Sequence, residues 1–173
     1  LNNAFTELGT GTVGQGLYSI PYIVIIAIVA AVIVWIVANK TQFGKNVYAI
    51  GGNVEAARVS GINIGKNLMV VYALAGAMYG LAGVLEAART GGATNNYGMS
   101  YELDAIAACV VGGVSATGGV GKVSGVLAGV LIFSVINYGL TFINMNPYWQ
   151  MIIKGLIIVA AVAFDIRKYR RRK

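Results

Sequence analysis

The sequence predicts an all-α, polytopic transmembrane helix bundle of about five crossings, one of them broken. Three observations lead there. The 173 residues are 57% apolar and 11% charged, with a mean hydropathy of +0.72, whereas a soluble domain carries about 25% charged residues. Apolar runs of bilayer-spanning length recur along the chain. The basic residues flank those runs with a consistent sidedness. Disorder is excluded, because it needs low hydrophobicity and high charge. The 24 glycines carry no Gly-X-Y period, which excludes collagen. A single cysteine, Cys109, excludes an internal disulfide, and there is no histidine. The chain starts at Leu1 without a charged n-region, which predicts a fragment and no signal peptide.

A bilayer core needs about 20 apolar residues in a helix. Residues 20–38 meet that length without a charge, and Pro21 sits in the first turn, where a missing N–H costs little. Residues 68–85, 123–143 and 148–166 are three further spans. None shows the polar stripe of a soluble bundle helix. Residues 1–19 are then an external segment, and residues 20–173 a transmembrane domain.

Charge decides the remaining crossing. The loop 39–67 carries Lys40, Lys45, Arg58 and Lys66, and the tail 167–173 carries Arg167, Lys168, Arg170, Arg171, Arg172 and Lys173. The positive-inside rule places both in the cytoplasm. The three clear spans between them would put them on opposite sides, so residues 101–121 must also cross. Their ten-residue apolar core, 105–114, rises only about 15 Å, and a glycine-rich irregular chain follows. Broken backbone survives at that depth only when buried in protein or lining a water-filled cavity. The N-terminus is then outside and the C-terminus cytoplasmic. Lys122 joins the inner basic residues, while Arg89 and Lys154 do not, and Lys154, near the outer end of its span, can snorkel. Glu7, Glu86, Glu102 and Asp104 fall outside, and Tyr148 and Trp149 anchor the last span at the interface. The net charge of +7 is accounted for by topology and the lipid bilayer, with no nucleic acid required.

In lipid, small residues let helices approach closely. Gly76 with Gly80, and Gly121 with Gly125 and Gly129, repeat at four-residue spacing and are expected to pack helices, within one chain or between two. Two glycine motifs fail their context. Gly9, Gly11 and Gly14 fit GxGxxG, but no strand precedes them and no helix begins on them. Gly121-Lys122 lacks a phosphate-loop glycine at Ala116 and a Ser or Thr at Val123, so the chain is not expected to bind ATP. No catalytic set, cofactor motif or metal cluster is visible, so an enzyme is not expected. Cys109, among Ala107, Ala108, Val110 and Val111, reads as a small buried hydrophobe. Asn95, Asn96, Glu102 and Asp104 could meet a polar solute near the outer mouth, or could be a solvated loop with Asp104 as an N-cap.

Loop 39–67 contains GGNVEAARVSG, residues 51–61. Asn53 is a good N-cap, Glu55 suits the first turn, Arg58 the last, and Gly61 a terminator. A helix of about two turns should form there. Its Ala56-Ala57 centre has little bulk and no large apolar face for the headgroups. That favours docking into a groove on a partner.

GKNVYAIGGNVEAARVSGINIGKN, LEAARTGGATNNYGMSYELDAIAACVVGGVSATGGVGKVSG and INMNPYWQMIIKG resemble ABC-importer permeases of the ribose/galactose type, nearest their galactose/methyl-galactoside branch. The resemblance runs from about residue 20 onward. Family members are about twice this length, so it covers a C-terminal half. The family often has Pro after the loop Asn, where Val54 stands here. The resemblance implies an inner-membrane transport subunit for a monosaccharide, working with a second permease copy, a periplasmic sugar-binding protein and an ABC ATPase that uses the ATP. It implies that Asn53, Glu55, Ala56, Ala57, Arg58 and Gly61 form the coupling helix on the ATPase, and that the broken crossing lies beside the solute path. Import of ribose, another sugar or a branched-chain amino acid stays open, as does a stand-alone secondary carrier or channel.

Overall fold

The structure, a computed structural model, describes residues 3–14, 19–95 and 97–170. They form eight helices and one minimal hairpin: α1 (Asn3–Thr10), β1 (Thr12–Val13), β2 (Ile20–Pro21), α2 (Tyr22–Lys40), α3 (Gln42–Gly52), α4 (Val54–Val59), α5 (Ile64–Thr90), α6 (Tyr101–Val111), α7 (Val123–Phe142) and α8 (Pro147–Arg170). The strands pair antiparallel, Thr12 opposite Pro21 and Val13 opposite Ile20. Helices α2, α5 and α7 are long and apolar enough to cross a membrane, and residues 147–163 of α8 form a shorter apolar helix. The fold is that of a helical membrane protein.

The chain divides into two compact units. The first holds α1, the hairpin, α2, residues 42–47 of α3, and residues 58–97 with α5. Pro21, at φ −59° and ψ 139°, caps α2, where its lack of an N–H does no harm. Helix α2 carries no buried residue, as expected of a helix apolar all round that faces lipid. Its end is tied by Thr41: the hydroxyl donates to the Val37 carbonyl at 2.6 Å and accepts from Gly44 N–H at 3.1 Å. A side chain at Gly44 would strike the Val37 and Ala38 carbonyls, so glycine permits the immediate restart as α3. Helix α5 runs 27 residues, beyond the expected 68–85 on both sides. Asn63 sets its start, accepting from Lys66 N–H at 3.0 Å, and Gly91, left-handed at φ 72°, sets its end. These caps, not the apolar run, decide its length. Residues 3–14, expected only as an external segment, contain α1. Gly9 abuts the Ala88 and Arg89 backbone of α5, which gives the glycines of the GxGxxG lookalike a packing role.

The second unit holds residues 48–57, α6, α7 and α8. Its core is built on α6: Ala107 and Ala108 pack with Phe133 of α7, and Ile157 and Ile158 of α8 lie against them. The outward faces stay apolar. Val135 is 72% and Phe142 90% exposed, an arrangement that suits a hydrocarbon solvent. Helix α6 is short, eleven residues and about 16 Å. It ends at Gly112 and Gly113, the latter at φ +84°.

Candidate functional site

Helix α4 is defined by its caps. Asn53 closes α3 by donating its N–H to the Ala49 carbonyl at 3.0 Å. The same residue opens α4: its Oδ1 accepts from Ala56 N–H at 3.0 Å, and its carbonyl accepts from Ala57 N–H at 3.0 Å. Val54, where proline would pre-set φ, is helical without it. Glu55 lies in the first turn and Arg58 in the last, each on the side its charge favours. Gly61, at φ +80°, donates to the Arg58 carbonyl at 3.0 Å. The helix proper is six residues, close to the two turns expected at about 3.6 residues per turn, and the chain leaves it at Ser60 before the glycine.

Only Ala57 of α4 is buried, at 3%, whereas Val59 is 88% exposed. The expected alanine pair therefore divides its work. Ala57 faces inward, and Ala56 with Glu55, Arg58 and Val59 faces outward. What is presented is a small charged helix with an exposed valine at each end, Val54 and Val59.

Three of the four residues expected along a solute path are among the described residues. Asn95 is exposed in the first unit and Glu102 is exposed on α6. Asn96 lies outside the described residues. Asp104 is not the N-cap of α6. Ser100, left-handed at φ 67°, occupies the N-cap of α6, and Asp104 turns into the helix bundle. Lys154 Nζ on α8 lies 2.8 Å from Asp104 Oδ1 and donates to Oδ2 at 3.0 Å. Asn137 Nδ2 on α7 donates to the same Oδ2 at 3.5 Å. The contact to Oδ1 is ionic rather than hydrogen-bonded, and Asn137 Oδ1 is a buried acceptor without a donor among the described residues. The side chain of Lys154 is 14% exposed and faces a carboxylate. A charge inside a helical bundle needs an opposite charge nearby. The sequence signal was there, in an acid on α6 and a base within the apolar stretch of α8, but nothing in the spacing joined residues fifty apart.

The small residues also separate into two groups. Side chains at Gly125 and Gly129 would strike the Gly112 and Ala108 carbonyls, so α6 and α7 meet backbone to backbone. Gly121 precedes α7 instead of sharing its face, because the chain at Lys122 is extended, at φ −136° and ψ 136°. The expected tandem is therefore one pair. Gly76 and Gly80 meet nothing within 4 Å among the described residues. Cys109 is half-buried. No group of His, Cys, Asp and Glu residues among the described residues could hold a metal ion.

The model of a family described as "Branched-chain amino acid transport system / permease component" matches residues 3–162. The chain belongs to this permease family. Among its permease relatives, it is 59% identical over 172 residues to the galactose/methyl galactoside import permease protein MglC of Escherichia coli (strain K12), covering 99% of this chain and 51% of that one. It is 47% identical over 163 residues to the MglC protein of Treponema pallidum (strain Nichols), covering 94% and 30%. It is 42% identical over 171 residues to the ribose import permease protein RbsC of Bacillus subtilis (strain 168), covering 96% and 53%. The chain spans about half the length, or less, of these curated permeases. No solved structure matches it.

Proposed function

We propose that this chain is the membrane-spanning transport subunit of an ATP-driven importer for a monosaccharide, a galactose or methyl galactoside. It takes force on α4 from a separate cytoplasmic ABC ATPase. The observation that carries this reading is α4 itself. It is a six-residue helix, capped by Asn53 and stopped by Gly61, anchored by Ala57 and presenting Glu55, Arg58 and Val59 outward. The loop that holds it lies between two membrane-length helices, α2 and α5. The 59% identity to a galactose/methyl galactoside import permease supports the substrate class.

In this scheme ATP binding closes the partner dimer and displaces α4. The bundle then rocks between outward- and inward-open states. The basic residues of loop 39–67 and the tail support a cytoplasmic location for both, with five crossings at residues 20–38, 68–85, 101–121, 123–143 and 148–166. A periplasmic sugar-binding protein delivers the solute, and a second permease copy completes the pathway in the inner membrane. The broken crossing built on α6 lines the path. Asp104 does bring an acid into the bundle, but Lys154 neutralises it. A neutral solute then meets no net charge there.

Disrupting the gene in its native cell tests the reading. Uptake of galactose and methyl galactoside should fall to background while ribose uptake persists. Loss of ribose uptake alone would reassign the substrate, and copurification without any ATPase subunit would remove the mechanism.

A further inference from the structure

The chain between α6 and α7 meets the last two residues of α3, Gly51 and Gly52, backbone against backbone. Gly118 and Gly119 are left-handed, at φ +92° and +71°. A Cβ on Gly118 would sit 2.6 Å from the Gly51 carbonyl oxygen, one on Gly119 2.7 Å from Gly52 Cα, and one on Gly51 2.6 Å from Gly119 N. Real side chains do not approach backbone so closely, so the contact exists only because these positions are glycine. Tyr48 adds a directional bond, its hydroxyl donating to the Gly121 carbonyl at 3.1 Å.

The segment facing Gly51 is a closed turn. Ser115 N–H donates to the Val120 carbonyl at 2.9 Å, Gly118 N–H to the Ser115 carbonyl at 3.2 Å, and the Ser115 and Thr117 hydroxyls lie 2.9 Å apart. Ser115 is 6% exposed. The turn is fastened to α6, since Val114 N–H donates to the Cys109 carbonyl at 3.0 Å. On the other side of the contact, Gly51 and Gly52 lead through Asn53 directly into α4.

We propose that Tyr48, Gly51, Gly118 and Gly119 form the positioning joint that passes a displacement of α4 to the broken crossing on α6. The inference rests on the coupling role proposed for α4. Backbone pressed on backbone has no rotamers to yield, and close-packed protein transmits strain instead of absorbing it. A push on α4 therefore reaches the 115–121 turn without slack, and the turn carries it to the end of α6.

Adjacent glycines supply the test. Gly51→Ala and Gly52→Ala make the same change at the end of one helix, but a Cβ at Gly52 meets nothing within 4 Å, whereas one at Gly51 meets Gly119 N. The assay uses the full chain assembled with its ATPase partner in native membranes and reads copurified ATPase, ATP hydrolysis and galactoside uptake. Gly51→Ala should keep ATPase association and hydrolysis yet lower uptake about tenfold, as expected for loss of coupling along a packed path. Gly52→Ala should keep uptake within about twofold, the range of a substitution that touches nothing. Equal uptake in the two variants, or loss of ATPase association in Gly51→Ala, overturns the joint. If Gly51→Ala fails to insert, Tyr48→Phe decides: reduced uptake at normal hydrolysis supports the joint, and unchanged uptake overturns it. If the wild-type chain itself binds no ATPase, the coupling role of α4 fails, and the joint fails with it. Normal wild-type transport with indifferent variants condemns the joint alone.

Discussion

Lys154→Met removes one side of the Asp104 ion pair. Lys154 Nζ lies 2.8 and 3.0 Å from the two carboxylate oxygens, with side chains 14% and 28% exposed. At an effective dielectric near 20 the gross attraction at that distance is about 6 kcal/mol. Desolvation of both groups takes back most of it, so the pair's net worth is small. Removing one partner is a different matter. Asp104 would keep only Asn137 Nδ2 at 3.5 Å, and an orphaned buried charge costs about 3 kcal/mol, the low end of the usual range because both side chains retain some exposure. That is roughly a hundredfold in the folded-to-unfolded ratio. Asp104→Asn combined with Lys154→Met removes both charges and should return stability to within about 1 kcal/mol of the parent, so the double variant should be about 2 kcal/mol more stable than Lys154→Met alone. Denaturant unfolding of the detergent-solubilised chain, followed by tryptophan fluorescence, measures all four corners. Additive losses, with the double variant no better than Lys154→Met, would refute the argument that the two charges hold α6 to α8.

Other expectations follow from the same geometry. Glu55→Lys should abolish galactoside uptake while leaving membrane insertion unchanged, read by transport and by immunoblotting of the membrane fraction. Asn53→Ala deletes the bond to Ala56 N–H and should destabilise α4 by about 1 kcal/mol, seen as faster amide exchange confined to residues 54–59. Asn53→Asp should keep it ordered. Gly129→Leu should block assembly of the α6–α7 contact and lower the amount of inserted protein, because Ala108 and Gly112 occupy the space, whereas Gly76→Ala should insert normally.

The parts of the fold legible in the sequence were those set by hydropathy and caps. Helix α2 could be read because every residue from Tyr22 to Ala38 is compatible with lipid. Helix α4 could be read because Asn53 and Gly61 mark its ends. Helix α5 was seen but cut short, since Asn63 and Gly91 outrank the apolar run that lies between them. Helix α3 was missed within loop 39–67. Its three glycines, Gly44, Gly51 and Gly52, argue locally against a helix, and it forms because tertiary contacts use two of them. Gly44 fits beneath the carbonyls that end α2, and Gly51 meets the 115–121 turn. The Asp104–Asn137–Lys154 cluster joins three helices, and no local pattern encodes such a meeting. The same holds for Gly118 and Gly119, whose purpose shows only when Gly51 is seen against them. Periodicity alone could not separate Gly125 and Gly129, which pack, from Gly76 and Gly80, which stand open.

The most direct measurement is impermeant thiol labelling of Glu55→Cys, in a Cys109→Ala background, on inverted and right-side-out vesicles with and without the copurifying ATPase. Labelling restricted to inverted vesicles and suppressed by the ATPase is the predicted result. Labelling in right-side-out vesicles, or labelling in inverted vesicles that the ATPase leaves unchanged, would contradict a cytoplasmic α4 seated on that motor.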